Sequence, residues 1–506
     1  MHAPESTYRL TPDGRAGAAA EQHFAAGNAH HAAGREAEAM ADFRAALALC
    51  PDLAEAGFNL GIVLEKTGAL ADALAAYQQA ARARPQLAEV HFALGNLCFK
   101  IRLWPEATAA FRTALVLREG FAPAWLNLGN TLRLQNDLVG ALACYRRAAA
   151  LRPDSPDAQV NLANAYRAQN RLPEARAAAE RALALAPESP AAHLNLAMTL
   201  LVAGELRVGW PHAEYRHAWP LGGAGRKFSQ PFWTGSEPLA GRSILLHGEQ
   251  GFGDTLQFVR YVPLVARLGA IVHVEVQPAL RSLLAASLPE AASLCAHGEP
   301  LPVCELHCPL PSLPGACGTS LDTIPAAVPY VRVPAAAAAR WQDYLREATG
   351  LRIGVAWAGN PTHPNDHNRS VPLAEFRRLG EALPAATFVS LKSELTAAEE
   401  EGLAAMPRWR NPAARLGDFA DTAALTAQLD LVIAVDTSVA HLAGALGRPL
   451  WVLLPFSPDW RWLLGRDDSP WYPTARLFRQ SRTEDWAGVI DAVCRELVRL
   501  HGPVSR

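Results

Sequence analysis

Three stretches of this sequence carry residue types whose spacing could do chemistry. The first is Asp430-Leu-Val-Ile-Ala-Val-Asp436, an apolar run that ends in Thr437-Ser438 and passes at once into Val-Ala-His441-Leu-Ala-Gly-Ala. A strand that stops on Asp-Thr-Ser and turns into a helix offers free N–H groups and the positive end of a helix dipole, a setting suited to a diphosphate. The same residues have a plainer use, with Asp436 or Thr437 capping the helix and His441 packed inside. The second stretch is Gly248-Glu-Gln-Gly251-Phe-Gly253-Asp254, after the apolar run Ser243–His247. Its glycines are not spaced G-x-G-x-x-G, which argues against a nicotinamide-dependent oxidoreductase. Asp254 can accept a proton from a bound hydroxyl or cap the following helix, and the two roles are compatible. The third is the turn at Gly359-Asn360 and the polar loop to Pro372, with His363, Asp366, His367, Asn368, Arg369 and Ser370. Long polar loops at strand ends are where open α/β sheets bind ligands.

These stretches need strands and helices to hold them. Short apolar runs alternate with helical patterns: strands at Ser243–His247 and Ile271–Val276, then Arg352–Trp357, Thr387–Leu391, Leu431–Val435 and Leu450–Leu454. Helices are expected at about 255–268, 335–348, 373–383, 395–405, 422–429, 438–446 and 484–500. That alternation implies parallel sheets. Two Rossmann-like halves facing across a cleft are predicted, residues 220–348 and 349–506, entered through a linker with Gly222, Gly223, Gly225, Pro231 and Pro238. Lys392 ends one of the strands and is a candidate phosphate-binding cation. A later run, Asp459-Trp-Arg-Trp-Leu-Leu with Trp471-Tyr472 and Arg479, either frames a nucleotide or acceptor or packs as core at the domain junction.

The sequence before residue 220 realigns on itself every 34 residues. Leu60-Gly61, Leu94-Gly95, Leu128-Gly129, Leu162-Ala163 and Leu196-Ala197 mark one helix of each unit. Alanines at 39, 73, 107, 141 and 175 and aromatics at Phe43, Tyr77, Phe111 and Tyr145 mark the second. Small residues let two antiparallel helices approach, and prolines such as Pro51, Pro85, Pro153 and Pro187 end the second helix. The pattern resembles the tetratricopeptide repeat over residues 20–219, five complete units and an altered sixth, after a flexible tail over 1–19. Asn59, Asn127, Asn161 and Asn195 share one position, interrupted by Ala93, and Asn28, Asn96, Asn130 and Asn164 lie three residues on. Such amides either line a concave wall and hold an extended peptide backbone, or bond from helix to helix.

The formal net charge is −2, which excludes a nucleic-acid or anionic-membrane partner held by bulk charge. Only four cations are lysines, a bias read as genomic. No apolar run is long enough to span a bilayer and the first residues lack a signal-peptide pattern, so a cytoplasmic protein is expected. Cys295, Cys304, Cys308 and Cys317 lack the paired C-x2-C knuckles of structural zinc sites and are read as free thiols.

The strand ending in Asp436-Thr437-Ser438 followed by His441, taken with Gly251-Phe-Gly253-Asp254, resembles the heptosyltransferase family of GT-B glycosyltransferases. A bacterial subgroup with fused tetratricopeptide repeats is similar across nearly the whole chain, and its repeat arm resembles that of O-GlcNAc transferase. The resemblance implies an α-solenoid followed by an α/β GT-B fold of two Rossmann-like halves, acceptor side first and donor side second. It implies Asp254 as general base, donor binding by Asp436, Thr437, Ser438 and His441, and Arg369 as the loop cation, with Lys392 a second candidate. Gly251, Gly253 and Asn360 would border the acceptor, and Asn59, Asn127, Asn161 and Asn195 would bind peptide. Ser438 stands where glycine is usual. The expected reaction is inverting transfer from a nucleotide-sugar co-substrate, with no other cofactor and no metal, since the chain has no Asp-x-Asp. The competing expectation is an inactive repeat adaptor whose second part only binds nucleotide or serves as scaffold.

Overall fold

In the computed structural model, residues 14–218, 226, 228–363 and 365–502 are described. Most of the expected tail and the linker residues Gly222, Gly223 and Gly225 lie outside them. The first described helix starts at Gly14, inside the span expected to be tail. The chain forms two compact units, one running to Ala168 and including Ala177–Pro187, the other made of Gln169–Arg176 and everything from Glu188. The division therefore falls inside the repeat sequence rather than at residue 219.

The first unit is built of helix pairs: Gly14–Ala32 with Glu36–Leu49, Ala54–Lys66 with Leu70–Ala83, Ala88–Lys100 with Trp104–Leu117, and Ala122–Leu134 with Leu138–Leu151. The period sets the packing. A Cβ on Gly61 would sit 2.5 Å from the Tyr77 ring, and Gly95 and Gly129 face Phe111 and Tyr145 in the same way at 2.6 Å. The glycine is thus the notch that receives the aromatic, which is fully buried in each unit. Burying one such ring contributes about 2–3 kcal/mol, repeated along the array. A second periodic feature lies in the backbone. Gly34, Gly68, Arg102, Asn136, Asn170 and Gly204, each 34 residues from the last, all adopt positive φ between 56° and 84°. Each closes the turn between the helices of its pair, the left-handed C-terminal cap that glycine and asparagine adopt most easily.

The second unit begins with the sixth pair, Pro190–Val202 and Leu206–Ala213. Its second helix has only eight residues and Pro211 lies inside it. Trp210 from this helix is buried, donates its indole N–H to the Thr319 carbonyl at 2.9 Å and meets Trp460 edge-on at 5.3 Å. Among the described residues ten strands follow: β1 Ser243–His247, β2 Ile271–Val276, β3 Ser293–Ala296, β4 Leu306–Pro309, β5 Arg352–Ala356, β6 Thr387–Ser390, β7 Trp409–Arg410, β8 Leu431–Val435, β9 Leu450–Leu454 and β10 Ala475–Arg479. They make two sheets, β3-β2-β1-β4 and β10-β9-β8-β5-β6-β7. Every ladder in both is parallel. Strands such as β8 and β9 are buried along their whole length, as parallel strands covered on both faces must be. Counted within its own half, the second sheet has the order 3-2-1-4-5-6 of a doubly wound dinucleotide-type sheet. The strand order reverses between β1 and β4 in the first sheet and between β5 and β8 in the second. Ligands of open α/β sheets bind beyond the carboxyl ends of the strands at that reversal.

Four strands escape the sequence reading. β3, β4 and β7 have only four, four and two residues, and β10 carries Arg476 and Arg479 among its five. The helix expected at 255–268 is broken into Phe252–Phe258, a turn at Val259–Tyr261 and Val262–Arg267, with Pro263 opening the last piece. The helix expected to run to residue 348 stops at Trp341.

Candidate active site

The loop after β1 and the turn after β8 meet. Gly251 stands at the N-cap of the helix Phe252–Phe258, and the Asp254 carboxylate reaches back so that its Oδ2 accepts the Gly251 N–H at 2.9 Å. Asp254 thus acts as a helix-terminal acceptor, the plainer of its two expected uses. One residue before it, a Cβ on Gly253 would lie 2.7 Å from Cδ2 of His441. Any side chain there would part the helix Phe252–Phe258 from the helix Ser438–Ala445, so glycine is what lets the two stretches converge.

His441 is buried in that contact. Its Nδ1 lies 2.8 Å from the Tyr472 hydroxyl, its ring stacks on Trp462 at 5.6 Å, and its Nε2 is 3.9 Å from Asp436 Oδ1. Burial, helped by the positive charge of Arg461, pushes its pKa down to about 3, so the imidazole is neutral at neutral pH. Asp436 is shifted the other way. Burial and then the negative charge of Asp459 raise it to about 6, against the pull of Arg461 and Arg369. Thr437 takes the N-cap position of the second helix in extended conformation, yet its side chain makes no cap bond. Its Oγ1 is buried without a hydrogen-bond partner. That hydroxyl lies beside the start of a helix, whose first N–H groups have no intrahelical partner. Ser438 is the first residue of that helix.

Arg369 arrives from the polar loop after β5. Its Nη1 donates to the Asp436 carbonyl at 3.0 Å and its Nε to Asp366 Oδ1 at 3.3 Å. Lys392 is engaged elsewhere: its Nζ is 2.6 Å from Glu399 Oε1, a carboxylate that also accepts from the Trp357 indole at 2.7 Å. Asn360 uses its Oδ1 to close its own turn, accepting from the Thr362 N–H at 2.9 Å. The run from Asp459 holds two further site residues. Arg461 hydrogen-bonds Asp254 across the junction of the two sheets, and Asp459 Oδ1 accepts from Arg461 Nη1 at 2.8 Å. Trp460, Trp462, Trp471 and Tyr472 belong to the shared core, the second of the two uses expected for them. Arg479 lies on β10, donating to the carbonyls of Arg466 and Trp462.

The asparagine positions mostly bond from helix to helix. Asn59 donates to Asn28 at 2.6 Å and Asn127 to Asn96 at 2.7 Å. Asn195 donates to the Ala191 carbonyl at 2.9 Å, and its Oδ1 is buried without a partner. Asn161 lies on the helix Pro156–Ala168, half-buried. Cys295, Cys304 and Cys308 are buried, which raises their thiols, and Cys317 is exposed. Among the described residues no group of three or more His, Cys, Asp or Glu is placed to hold a metal ion, and no helix is long and apolar enough to cross a membrane.

Residues 27–68 and 129–167 match the family model described as TPR repeat, and residues 51–88 and 160–206 that described as tetratricopeptide repeat. The N-terminal helix pairs are therefore tetratricopeptide repeats, a class of protein–protein interaction module. Protein FlbA of Caulobacter vibrioides is 26% identical over 329 residues, 59% of this chain and 53% of that protein. The chain thus spans about half the length of this curated relative. Among solved structures, MamA is 21% identical with a TM-score of 0.33, covering 34% of this chain and 94% of that one. The protein TTC0263 of Thermus thermophilus, described as a thermophilic TPR protein, is 25% identical with a TM-score of 0.28, covering 36% of this chain and all of that one.

Proposed function

We propose that the unit with the two parallel sheets is a GT-B-type glycosyltransferase that moves a sugar from a nucleotide-sugar donor to an acceptor hydroxyl with inversion and without a metal, and that the repeats recruit a protein acceptor or partner. The observation that carries this reading is the convergence of Asp254 with the start of the helix Ser438–Ala445, made possible by Gly253 against His441. Both groups stand beyond the carboxyl ends of the strands where the sheets reverse their order, β1 in one and β8 in the other. Asp254 takes the proton of the acceptor hydroxyl. The acceptor oxygen then bonds the anomeric carbon, and the bond from that carbon to the diphosphate oxygen breaks, its electron pair leaving on the nucleoside diphosphate. Arg369, the Thr437 hydroxyl and the free N–H groups at Ser438 receive the charge that develops there. A neutral His441 serves this reading as a hydrogen-bonding wall rather than a cation. Lys392 has no part while Glu399 holds it.

The test is sugar release from a panel of nucleotide-sugars, wild type beside Asp254→Ala. General-base catalysis is worth about 10²–10⁴ in rate, so the variant should lose that factor while nucleotide affinity stays the same. Wild-type protein that binds no nucleotide-sugar would overturn the reading. Nucleotide binding without turnover by either protein would replace it with the adaptor.

A further inference from the structure

We infer that Arg461 is the positioning residue of Asp254: it reaches from the loop after β9 to fix the orientation of that carboxylate, so that the competence of the base depends on a residue of the other sheet. This rests on the transferase reading above.

The geometry of the guanidinium is the argument. Arg461 sits in the short turn Trp460–Trp462 with its side chain 12% exposed. Its Nε donates to Gln257 Oε1 at 2.6 Å, its Nη1 to Asp459 Oδ1 at 2.8 Å and its Nη2 to Asp254 Oδ1. Three acceptors lie around one planar fork, two of them on the helix Phe252–Phe258. The plane packs over Trp460 at 4.6 Å and Phe258 at 5.6 Å. Asp459 is held in turn, because its Oδ1 also accepts the Arg461 backbone N–H at 3.0 Å. A lysine would carry the charge but could not satisfy three directions from one plane. Gln257 is fully buried, and its Nε2 has no partner even though its Oε1 is bound. Its side chain is therefore committed to Arg461.

Asp254 needs such a partner. Its own helix gives it the Gly251 N–H. The helix Ser438–Ala445 and the turn before it bring a neutral His441 and the carboxylate of Asp436. The loop after β9 brings Asp459 with Arg461, and the loop after β5 brings His363, whose interaction with Asp254 is electrostatic. Arg369 is turned to Asp436 and Asp366, and Arg260 to the Trp471 carbonyl and the Tyr330 hydroxyl. Among the described residues Arg461 is the cation that hydrogen-bonds Asp254. Burial raises the Asp254 carboxyl and Arg461 is the largest influence opposing it. Removing it would take away the strongest opposition to that rise.

The experiment compares wild type, Arg461→Gln and Arg461→Lys in full pH profiles of turnover. It also follows the Asp254 carboxyl carbon by NMR, assigned by its loss in Asp254→Asn. For Arg461→Gln the acid limb should move up and kcat fall about tenfold or more, with donor KM nearly unchanged. For Arg461→Lys the limb should stay near wild type while kcat still falls several-fold, because charge is kept and the fork is lost. That variant carries the test if the glutamine protein does not fold. A raised donor KM with an unmoved limb would overturn the inference and make Arg461 a donor ligand. A wild type inactive with every donor would sink the transferase reading instead. The Asp254 titration would then still decide the coupling, an unchanged titration in Arg461→Gln overturning it.

Discussion

The repeat array and the two-sheet unit answer the burial of polar groups in opposite ways. In the array, several partly buried polar side chains are closed off by neighbours on adjoining helices. Asn59 bonds Asn28, Asn127 bonds Asn96, and Asp42 is held by His23 at 3.0 Å and His30 at 2.8 Å. In the two-sheet unit three carboxylates, Asp254, Asp436 and Asp459, share one partly buried corner with Arg461, a neutral His441 and an unpaired Thr437 hydroxyl. Buried charge of this kind costs stability, and perturbed carboxyls in a crevice are a mark of functional sites. The difference sets a part of the fold that pairs its polar groups beside a part that gathers like charges around one guanidinium.

The largest way to break this contrast is to remove one charge on each side of it. Asp436 has a folded pKa raised to about 6 from 3.8, so the proton it binds favours the folded state. That contribution is complete below 3.8 and is lost as pH rises through 6. Asp436→Asn should therefore gain on wild type from about pH 4 to pH 6 and keep a constant lead above it. At about 1.36 kcal/mol per unit the lead is bounded at about 3 kcal/mol. Asp42 has its pKa lowered, first by the His23 hydrogen bond, so its contribution is present above 3.8 and lost as pH falls. Asp42→Asn should lose stability where Asp436→Asn gains it. Denaturation midpoints of wild type and both variants from about pH 3.5 to about pH 7.5 check the signs, and parallel curves for the two variants would dissolve the distinction.

The next contrast is between two glycines that each admit a ring. Gly61→Ala places a methyl 2.5 Å from Tyr77 and Gly253→Ala one 2.7 Å from His441. Overpacking of this sort costs about 1–3 kcal/mol in either place. The consequences should differ. In a repeat array each unit touches only its neighbours, so hydrogen exchange should quicken in the second and adjoining pairs alone. At Gly253 the two halves of the candidate site are pushed apart, and nucleotide binding should weaken together with turnover. A Gly253→Ala protein with intact nucleotide affinity would show that the convergence is not needed.

How far the sequence foretells all this follows the same divide. The repeats are readable because five copies of one solution stand in register, so that Gly61, Gly95 and Gly129 announce the notch for Tyr77, Phe111 and Tyr145. Asp254, Asp436 and His441 can be singled out because each follows a recognisable strand. That Gly253 lies against His441 is not readable: the two are far apart in sequence, and nothing local records a contact between helices of different sheets. Arg461 lies inside a run notable for its tryptophans, and only the fold shows that its guanidinium leaves its own loop for Asp254. Lys392 illustrates the reverse. Its position after a strand suggests a phosphate, while its actual partner is the capping Glu399 seven residues on. The strands β3, β4 and β7 are too short to show a pattern, and β10 carries Arg476 and Arg479 where a buried strand would be apolar.

The smallest effect tests the array's own regularity. One position in each unit needs a left-handed residue, and glycine or asparagine fills it everywhere except at Arg102, with φ 64°. An ordinary L-residue loses roughly 1–2 kcal/mol in that conformation because its Cβ crowds the following carbonyl, and glycine does not. Glycine also gives the unfolded chain more freedom, which takes back a part of the gain. Arg102→Gly should therefore stabilise the array by about 0.5–1 kcal/mol and leave the unfolding of the two-sheet unit unchanged. The same substitution at Asn136, φ 63°, should gain less, because asparagine already tolerates the region. If Arg102→Gly were destabilising, the arginine would be held by something other than its backbone, and the period of 34 would not be the rule that sets these turns.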